Sequence, residues 1–346
     1  MMMESSKHTK DGTLLLNREE VCSLIGIDEC IDAVERAFKL HGEGRASPPG
    51  ILGVHAQDGG FHIKTGLLEQ DRNFFVAKIN ANFPQNLKRF GLPTIQGLIL
   101  VCDAVTGYPL AVMDSIEITI QRTGAATAVA VKYLAGKDAE IVTICGAGNQ
   151  GRIQLSALLR VRDLTQAFVY DVDDGKARQF AAEFAHELPV EPITKGRLSS
   201  AVRESHICVT CTPAREFFLN CDDVAPGTFI AGVGADSEEK QELDPQLFVS
   251  NKIIVDVLEQ SALIGDLHHA IVAGLVKKSD VHAELGEVVA GRKPGRISVE
   301  EIIIFDSTGM ALQDAAAAAL VYNKAISAGV GTMYQFNSTI TQNKIH

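Results

Sequence analysis

The stretch from Ala139 to Gly151 constrains the fold of this chain more than any other segment. An apolar, β-branched run ends in the pattern Gly146-x-Gly148-x-x-Gly151, and apolar residues at helical spacing follow over 153–159. About twenty residues further on, a second predicted strand, 167–172, carries Asp171. A strand that runs through a glycine turn into a helix directs backbone N–H groups and the positive helix end toward one point, where a pyrophosphate binds. The segment therefore predicts a Rossmann unit with a bound dinucleotide.

The position of Asp171 predicts which dinucleotide this is. A carboxylate at the end of the second strand accepts a hydrogen bond from a ribose 2′-hydroxyl and repels a 2′-phosphate, so NAD is favoured over NADP. Arg178, one helical stretch further on, leaves NADP possible. The alternative is an ordinary strand-to-helix turn without a cofactor, in which Asp171 is a loop carboxylate.

Length and charge narrow the class of protein. A chain of 346 residues with 46% apolar residues buries a large core, and two domains are expected. The formal net charge of −11 argues against nucleic acid or an anionic membrane as a partner and favours a small molecule. The sequence contains no apolar run of transmembrane length, and residues 1–10 lack a signal-peptide pattern, so a soluble, cytoplasmic protein is predicted.

The spacing of the seven cysteines and of the adjacent histidines His268 and His269 argues against a metal site. Most of the cysteines lie in apolar runs, as reduced core thiols do. In an extended strand, the spacing of Cys208-x-x-Cys211 sends the two thiols to opposite faces, so this pair is interpreted as structural. His268 and His269 diverge on a helix, which disfavours a shared ion with Asp266.

The remaining patterns divide the chain into a middle domain and two outer pieces. Strand-like segments at 60–65, 74–80, 96–103 and 108–113 follow one another without helices, which implies an antiparallel sheet. After a helix at 115–134, strands near 141, 167, 206, 228, 252 and 301 alternate with helices, as in a doubly wound sheet. A last helix, 311–326, is expected to pack back on the first domain. The prediction is an α/β fold with a central NAD-binding Rossmann domain, 121–309, and an α+β substrate-binding and dimerisation domain, 1–120 and 310–346.

Two lysines interrupt apolar strands of the first domain. Lys78 lies in Phe74-Phe75-Val76-Ala77-Lys78-Ile79-Asn80, and Lys64 lies in a predicted neighbouring strand beside His62. Because an unpaired buried ammonium group is costly, each lysine must meet a carboxylate or reach a cavity. Two inward cations suit an anionic substrate. The alternative is that both side chains extend outward to solvent.

Two charged groups are candidates in the middle domain. Asp236 follows an apolar strand that ends in glycines, and the carboxyl ends of such strands face the ligand; its alternative role is the N-cap of a helix. Lys240 is placed to steady this acid or the cofactor. Arg122 lies in a helix of small residues and suits a phosphate or carboxylate, or else pairs with Asp114 or Glu117.

The same residues resemble one known family over nearly the whole chain. The motifs that carry the resemblance are Lys78, Gly91-Leu92-Pro93-Thr94, the Arg122-Thr123-Gly124-Ala125-Ala126 run, Gly146-x-Gly148-Asn149-Gln150, Gly232-Val233-Gly234-Ala235-Asp236-x-x-x-Lys240 and Phe305-Asp306-Ser307-Thr308-Gly309. In order and spacing they are similar to the ornithine cyclodeaminase and mu-crystallin family. That family includes cyclodeaminases, an archaeal-type alanine dehydrogenase and ketimine or iminosuccinate reductases. The resemblance implies a homodimer in which both chain termini build the dimerising sheet domain.

The resemblance also implies roles for individual residues. Lys78 is the lysine that grips the substrate, Asp236 is the general acid/base, and Thr308 lies beside the substrate. The dinucleotide is expected to be surrounded by Thr94, Arg122, Gly146, Gly148, Asn149, Gln150, Asp171, Thr212, Val233, Lys240 and Ser307. Lys64 and Arg122 are further candidates for the substrate anion.

One position departs from the pattern. Ornithine cyclodeaminase has a substrate-binding arginine where this chain has Gly50, after Pro48-Pro49, so Arg45 or Lys64 takes that role or the substrate is held differently. The stretch from Gly234 to Val288 looks closer to the alanine dehydrogenase and imine reductase branch. The expected function is therefore an NAD-dependent amino-acid dehydrogenase or imine reductase acting at C2 of a 2-imino acid. A cyclodeaminase that recycles NAD internally, and a non-catalytic nucleotide-binding protein, are the alternatives.

Overall fold

The computed structural model describes residues 12–46, 50–69 and 72–336. In this part of the chain the helices are α1 (Arg18–Leu24), α2 (Ile27–Gly42), α3 (Asn86–Phe90), α4 (Ile116–Leu134), α5 (Asn149–Leu158), α6 (Asp174–Phe184), α7 (Lys195–Glu204), α8 (Leu258–Ile264), α9 (Asp266–Val272), α10 (Leu285–Val289) and α11 (Ala311–Ala328). The strands are β1 (Thr13–Leu16), β2 (Gly50–Ala56), β3 (Gly59–Leu68), β4 (Phe74–Asn82), β5 (Ile95–Asp103), β6 (Pro109–Asp114), β7 (Ile141–Cys145), β8 (Gln166–Tyr170), β9 (Val190–Ile193), β10 (Ile207–Thr210), β11 (Phe229–Gly232), β12 (Lys252–Val255), β13 (Ala283–Glu284), β14 (Ile303–Asp306) and β15 (Thr332–Tyr334). The Pro48-Pro49 segment and the outermost parts of the predicted terminal domain, 1–11 and 337–346, lie outside the described residues.

The chain forms two compact units. The first comprises the described parts of Met1–Gly26, Ser47–Thr119 and Asp314–His346, and the second comprises Ile27–Ala46 and Ile120–Gln313. Residues 27–46 thus group with the second unit, whereas the sequence-based boundaries put them with the first. The reason is close backbone packing of α2 on α10, since a Cβ atom at Gly42 would lie 1.9 Å from the carbonyl oxygen of Gly286. The functional domain boundaries stay a prediction.

The first unit is built on a seven-stranded sheet with the order β15-β1-β6-β5-β4-β3-β2. The antiparallel arrangement predicted for β3 to β6 is confirmed, because each of these strands pairs antiparallel with the next along the chain. The prediction that no helix separates them is wrong for β4 and β5, which the short helix α3 connects. The sequence analysis did not include β1, β2 or β15. β1 adds a parallel pair with β6 and an antiparallel pair with β15, so both ends of the described chain contribute to this sheet.

The two faces of this sheet differ in character. Leu52, Ile63, Ile79 and Leu98 are cross-strand neighbours in sequence from β2 to β5, and they form what we call the apolar row. Leu52 and Leu98 are each 56% exposed and Ile79 is 47% exposed. Because side chains alternate along a strand, the neighbouring positions Lys64 and Lys78 point to the opposite face, where they lie directly across from each other.

Helix α11 in the first unit carries a run of buried alanines. Residues 315–319 are five consecutive alanines, each at most 2% exposed, and Tyr322 packs edge-on against Phe74 with ring centroids 6.0 Å apart. Asp314 is the single charged residue between positions 311 and 323. Alanine favours a helix and allows close packing, which explains how this helix is buried without large side chains.

The second unit is a doubly wound domain. Its eight strands are all parallel and have the order β13-β12-β14-β11-β10-β7-β8-β9. This arrangement confirms the predicted fold class of a Rossmann domain combined with an α+β unit. Strands β9 and β13 were not anticipated from the sequence. The chain order reverses at β7, which has β8 on one side and β10 on the other, and ligands bind at the carboxyl edge of such a switch point.

Small residues in α4 let another helix approach closely. A Cβ atom at Gly124 would lie 2.9 Å from both a side-chain carbon and the carbonyl oxygen of Ile153 in α5. Helix α5 therefore packs against α4 at Ile153 and leaves no room for a side chain at position 124. Among the described helices, none combines the length and the apolar character needed to cross a membrane.

Candidate functional site

The glycine turn between β7 and α5 has a shape that requires glycine. Gly146 has φ +111°, and a Cβ atom there would lie 2.9 Å from the carbonyl oxygen of Cys211. A Cβ atom at Gly151 would lie 1.9 Å from the carbonyl oxygen of Gly146, so the helix and the strand touch through this residue. Gly148 has nothing within 4 Å of its ideal Cβ position. The backbone is closely packed at Gly146 and Gly151, and the space beside Gly148 is open. This shape fits a pyrophosphate on the helix N-terminus.

Two polar groups border this turn. One oxygen of Asp171 accepts a hydrogen bond from the Ala147 N–H at 2.9 Å, and the other accepts from the Asp173 N–H at 2.9 Å. The carboxylate is thus fixed beside the turn, where a dinucleotide ribose is expected. Oε1 of Gln150, in the first turn of α5, is buried and has no hydrogen-bond partner among the described residues. A buried acceptor without a partner is costly, and a bound ligand would satisfy it.

Backbone hydrogen bonds extend the sheet past the strand ends at this edge. The N–H groups of Gly146, Cys211, Val233 and Ser307 donate to carbonyl oxygens of the neighbouring strands at 2.7 to 2.9 Å. The loops that carry these four residues therefore begin side by side along one edge of the sheet. Cys211, the second cysteine of the Cys-x-x-Cys pair, donates its Sγ hydrogen to the carbonyl oxygen of Cys145 at 3.3 Å. In the described part of the chain, no cluster of three His, Cys, Asp or Glu residues is placed to hold a metal ion.

Three buried carboxyl groups lie beneath these loops, and the sequence analysis assigned no role to them. Burial raises the pKa of Glu242, and burial together with the nearby Glu242 charge raises the pKa of Asp266 to about 8. The pKa of Asp306 is also raised by burial, with the charge of Asp266 adding to the shift. The backbone N–H groups of Glu242 and Leu243 donate to Oδ1 of Asp266, and Oδ2 of Asp266 has no partner among the described residues.

This burial has a consequence for the pH dependence of stability. Between the ordinary pKa of an aspartate, about 3.9, and about 8, folded Asp266 holds a proton that the unfolded chain has lost. The free energy of unfolding therefore falls as pH rises through this window. Asp266→Asn mimics the protonated acid, so the Tm of the variant minus that of the wild type is expected to increase from pH 5 to pH 9.

Asp223→Asn is a matched control with the opposite sign. Burial raises the pKa of Asp223, but hydrogen bonds from Ser199 and Asn220 outweigh it and hold the pKa below its usual value. The stability that this carboxylate provides is present above the ordinary pKa and is lost as pH falls through the lowered one. Circular dichroism melts of both variants across the pH range provide the comparison. An Asp266→Asn difference that is flat with pH would contradict the assignment.

The loop after β14 carries Ser307 and Thr308 and is fixed by α8 and the residues before it. Asp256 accepts hydrogen bonds from the Thr308 hydroxyl at 2.9 Å and from the Gly309 N–H at 2.6 Å. Nε2 of Gln260 donates to the carbonyl oxygens of Thr308 and Gly309 at 3.1 and 3.2 Å. Both residues lie in the stretch from Gly234 to Val288 that resembles the alanine dehydrogenase and imine reductase branch, and the sequence alone did not reveal their contacts.

Arg122 lies beside this loop. Its Nη1 donates to Oε1 of Gln313 at 2.9 Å, and a Cβ atom at Gly309 would lie 2.8 Å from the same nitrogen. The side chain is 7% exposed. Of the two acids considered as its partners, Glu117 forms an ion pair with Arg18 at 2.6 Å.

Asp236 lies in the loop after β11 and is paired with Lys240. Nζ of Lys240 lies 2.5 Å from Oδ1 of Asp236. The residues that follow Asp236 form a turn and not a helix, so the alternative role of a helix N-cap does not apply. The acid is 56% exposed in its side chain, which leaves it accessible to a small molecule.

Lys78, in the first unit, is buried and ion-paired. Its Nζ lies 2.7 and 2.8 Å from the two carboxylate oxygens of Asp314 and 3.5 Å from the Thr119 hydroxyl. The side chains of Lys78 and Asp314 are 4% and 2% exposed. The sequence predicted a carboxylate or a cavity for Lys78 but missed Asp314, although a lone acid in an alanine-rich helix was a usable signal.

The predicted site residues are divided between the two units. Lys64, Lys78 and Thr94 lie in the first unit. Those in the second unit are Arg122, Gly146, Gly148, Asn149, Gln150, Asp171, Thr212, Val233, Asp236, Lys240, Ser307 and Thr308. Within the second unit the structure gathers the residues of the strand-end loops at the carboxyl edge of the sheet. Their roles toward a cofactor or substrate stay predictions.

Comparison with known proteins bears on this arrangement. The profile of the ornithine cyclodeaminase/mu-crystallin family matches residues 12–329. An alanine dehydrogenase from Archaeoglobus fulgidus is 39% identical over 327 residues, which cover 94% of this chain and 98% of the relative. A solved archaeal alanine dehydrogenase dimer with bound NAD has a TM-score of 0.90 at 39% identity, covering 94% of this chain and 99% of that one. The Δ1-pyrroline-2-carboxylate reductase of Thermococcus litoralis, solved with NADH and L-proline, has a TM-score of 0.87 at 37% identity, with coverage of 93% and 100%.

Proposed function

This chain belongs to the ornithine cyclodeaminase/mu-crystallin family, and we propose that it is an NAD(H)-dependent amino-acid dehydrogenase or imine reductase. The observation that carries the proposal is the glycine turn of the second unit. A dinucleotide is suited by the open space beside Gly148, by the Asp171 carboxylate and by the Gln150 oxygen, which has no partner among the described residues. The relatives described above are oxidoreductases of amino or imino acids, and two of their structures contain NAD or NADH.

The chain's own residues divide the work of holding the cofactor. Backbone N–H groups from Gly148 to Gln150 would hold the pyrophosphate, because those of Gly146 and Ala147 already donate to Tyr170 and Asp171. Asp171 would accept the ribose hydroxyls. Thr212, Val233, Lys240, Ser307, Arg122 and Thr94 are the remaining candidates. When bound, the reduced cofactor supplies a hydride to C2 of a 2-imino acid, and one proton completes the amino acid.

Lys78 and Asp236 are proposed as the catalytic residues. The Lys78 ammonium, fixed by Asp314, would hold the substrate carboxylate and so orient C2. Asp236 would deliver the proton in reduction and, in the oxidative direction, take a proton from the water that attacks the imine and releases ammonia. Lys240 holds the acid in place through Oδ1, and the other oxygen would exchange the proton.

The residue that replaces the family arginine at Gly50 is also a proposal. Arg45 pairs with Glu43 at 3.2 Å and is 60% exposed in its side chain. Lys64 lies directly across from Lys78 on the same face of the sheet. We therefore favour Lys64, with Arg122 and Thr308 as further substrate-binding residues. A second cation beside Lys78 suits an anionic substrate.

A coupled assay tests the proposed function. Purified protein is given NADH with a panel of 2-oxo acids plus ammonia or methylamine, and NAD with alanine, ornithine and lysine. Net consumption of NADH supports the reductase. Ammonia and a cyclic product without net change in NADH would instead make the protein a cyclodeaminase. Cofactor binding without either reaction would favour a non-catalytic nucleotide-binding protein.

We also propose a homodimer that covers the apolar row of the first unit. The solved alanine dehydrogenase relative is a dimer, and the row leaves several large apolar side chains exposed. Leu98→Arg should convert the dimer to a monomer in light scattering after size-exclusion chromatography, because a charge would be buried without a partner. Val105→Arg is the control, since Val105 is 79% exposed in a turn of the same unit. A Leu98→Arg protein that stays dimeric contradicts the assignment.

The cytoplasm is the proposed location. All seven cysteines lie in the described residues and none forms a disulfide, which fits a reducing compartment.

A further inference from the structure

Glu242 connects two loops of the candidate site through one buried carboxylate. Its Oε1 accepts hydrogen bonds from the N–H and the hydroxyl of Thr212 at 2.6 and 2.8 Å. Its Oε2 accepts from the Gly234 N–H and from the Thr210 hydroxyl, each at 2.8 Å. Glu242 is 0% exposed. One side chain thus binds the loop after β10 and the loop after β11 at the same time.

The two loops also contact each other directly, next to the Glu242 carboxylate. A Cβ atom at Gly234 would lie 2.3 Å from the carbonyl oxygen of Thr212 and 2.6 Å from the carboxyl carbon of Glu242. The Val233 N–H also donates to the carbonyl oxygen of Thr210 at 2.8 Å. A change in the carboxylate of Glu242 therefore reaches both loops.

Glu242 is itself held from below. Its N–H donates to Oδ1 of Asp266 at 2.8 Å, and the N–H of Asp266 donates to Oδ1 of Asp306 at 3.2 Å. The backbone that carries the Glu242 carboxylate is therefore held by hydrogen bonds to buried acids.

We propose that Glu242 is a positioning residue, which sets the cofactor loop through Thr212 and the acid/base loop through Gly234, two residues before Asp236. This inference rests on the proposed function. It assigns to one residue a joint effect on cofactor affinity and on turnover. A residue that served only folding would change the Tm, and the Kd for NADH and the kcat of the folded protein would stay unchanged.

The test variant is Glu242→Gln. Glutamine keeps the volume but places an NH₂ group against either the Gly234 N–H or the Thr212 N–H, so one backbone donor loses its acceptor. We expect the Kd for NADH to rise about tenfold and kcat to fall about tenfold, the size that one unmatched buried donor produces. The chain has no Trp, so the fluorescence of NADH reports binding without tryptophan background.

Two further variants separate positioning from stability. Asp223→Asn alters a carboxylate that accepts from the Asn220 N–H at 2.8 Å in the same unit, and we expect a loss of Tm without effect on NADH or kcat. Thr212→Ala removes one donor on the cofactor loop alone, so the Kd should rise several-fold and by a larger factor than kcat falls.

The outcomes separate this inference from the proposed function. A wild-type protein that binds NADH, together with a Glu242→Gln variant that behaves like Asp223→Asn, overturns the inference alone. Equal effects of Thr212→Ala on Kd and kcat also overturn it. A wild type that binds no NADH overturns the proposed function and this inference with it.

Discussion

Asparagine in place of Asp236 is expected to lower kcat by about 10²- to 10⁴-fold, the range that a positioned general acid or base contributes. The substitution keeps the shape of the side chain, and the amide oxygen can still accept from Nζ of Lys240, 2.5 Å from Oδ1 in the wild type. The loop should therefore keep its conformation while the side chain can no longer exchange a proton. The measurement is kcat for NADH oxidation with the best imine substrate, beside the Kd for NADH.

Glu239→Gln is the matched control for this prediction. Glu239 lies in the same turn, is 69% exposed in its side chain and pairs with Arg215 at 3.0 Å. Its neutralisation changes the local charge by the same amount without removing the proposed acid. We expect kcat within twofold of the wild type. An Asp236→Asn variant that keeps more than a tenth of the activity would show that another group moves the proton.

Replacing Lys78 with methionine should abolish activity and destabilise the protein at the same time. The change leaves the Asp314 carboxylate, 2% exposed, without its cation. Removing one partner of a buried ion pair costs about 3–5 kcal/mol. Loss of the group proposed to hold the substrate carboxylate should lower kcat/KM by at least about 10²-fold. Thermal melts followed by circular dichroism and steady-state kinetics measure the two effects.

A double variant separates the two effects. In Lys78→Met/Asp314→Leu both charges are replaced by apolar groups, and such replacement of a buried pair is often neutral for stability. We expect the Tm to return most of the way to the wild-type value while activity stays absent. Lys88→Met, at an exposed lysine in α3 of the same unit, should change neither. Recovery of activity in the double variant would mean that Lys78 serves stability alone.

The Rossmann half of the molecule could be predicted from the sequence because its requirements are local. Gly146 and Gly151 are needed for a turn and a helix contact within a few residues of each other, and the chain records this directly. The placement of α2 could not be predicted. It depends on a contact between Gly42 and Gly286, and sequence spacing carries no information on a contact across that distance.

The candidate site shows the same limit. A lysine in an apolar strand predicts that a counter-charge exists, but not that it is Asp314, 236 positions away. The sequence analysis assigned no role to Glu242, because the N–H groups that donate to its carboxylate come from other loops and are visible only in the folded chain. Polar contacts between distant segments are set by tertiary packing, and a single sequence gives the candidates without the pairs.

The alanine run of α11 limits how this protein can be altered. Residues 315–319 are almost fully buried, so a larger side chain at any of them would overpack its surroundings and force neighbours out of their rotamers. Glycine would weaken the helix instead. The segment directly after Asp314 therefore tolerates little substitution, and variants that alter the surroundings of Asp314 are better made outside this run.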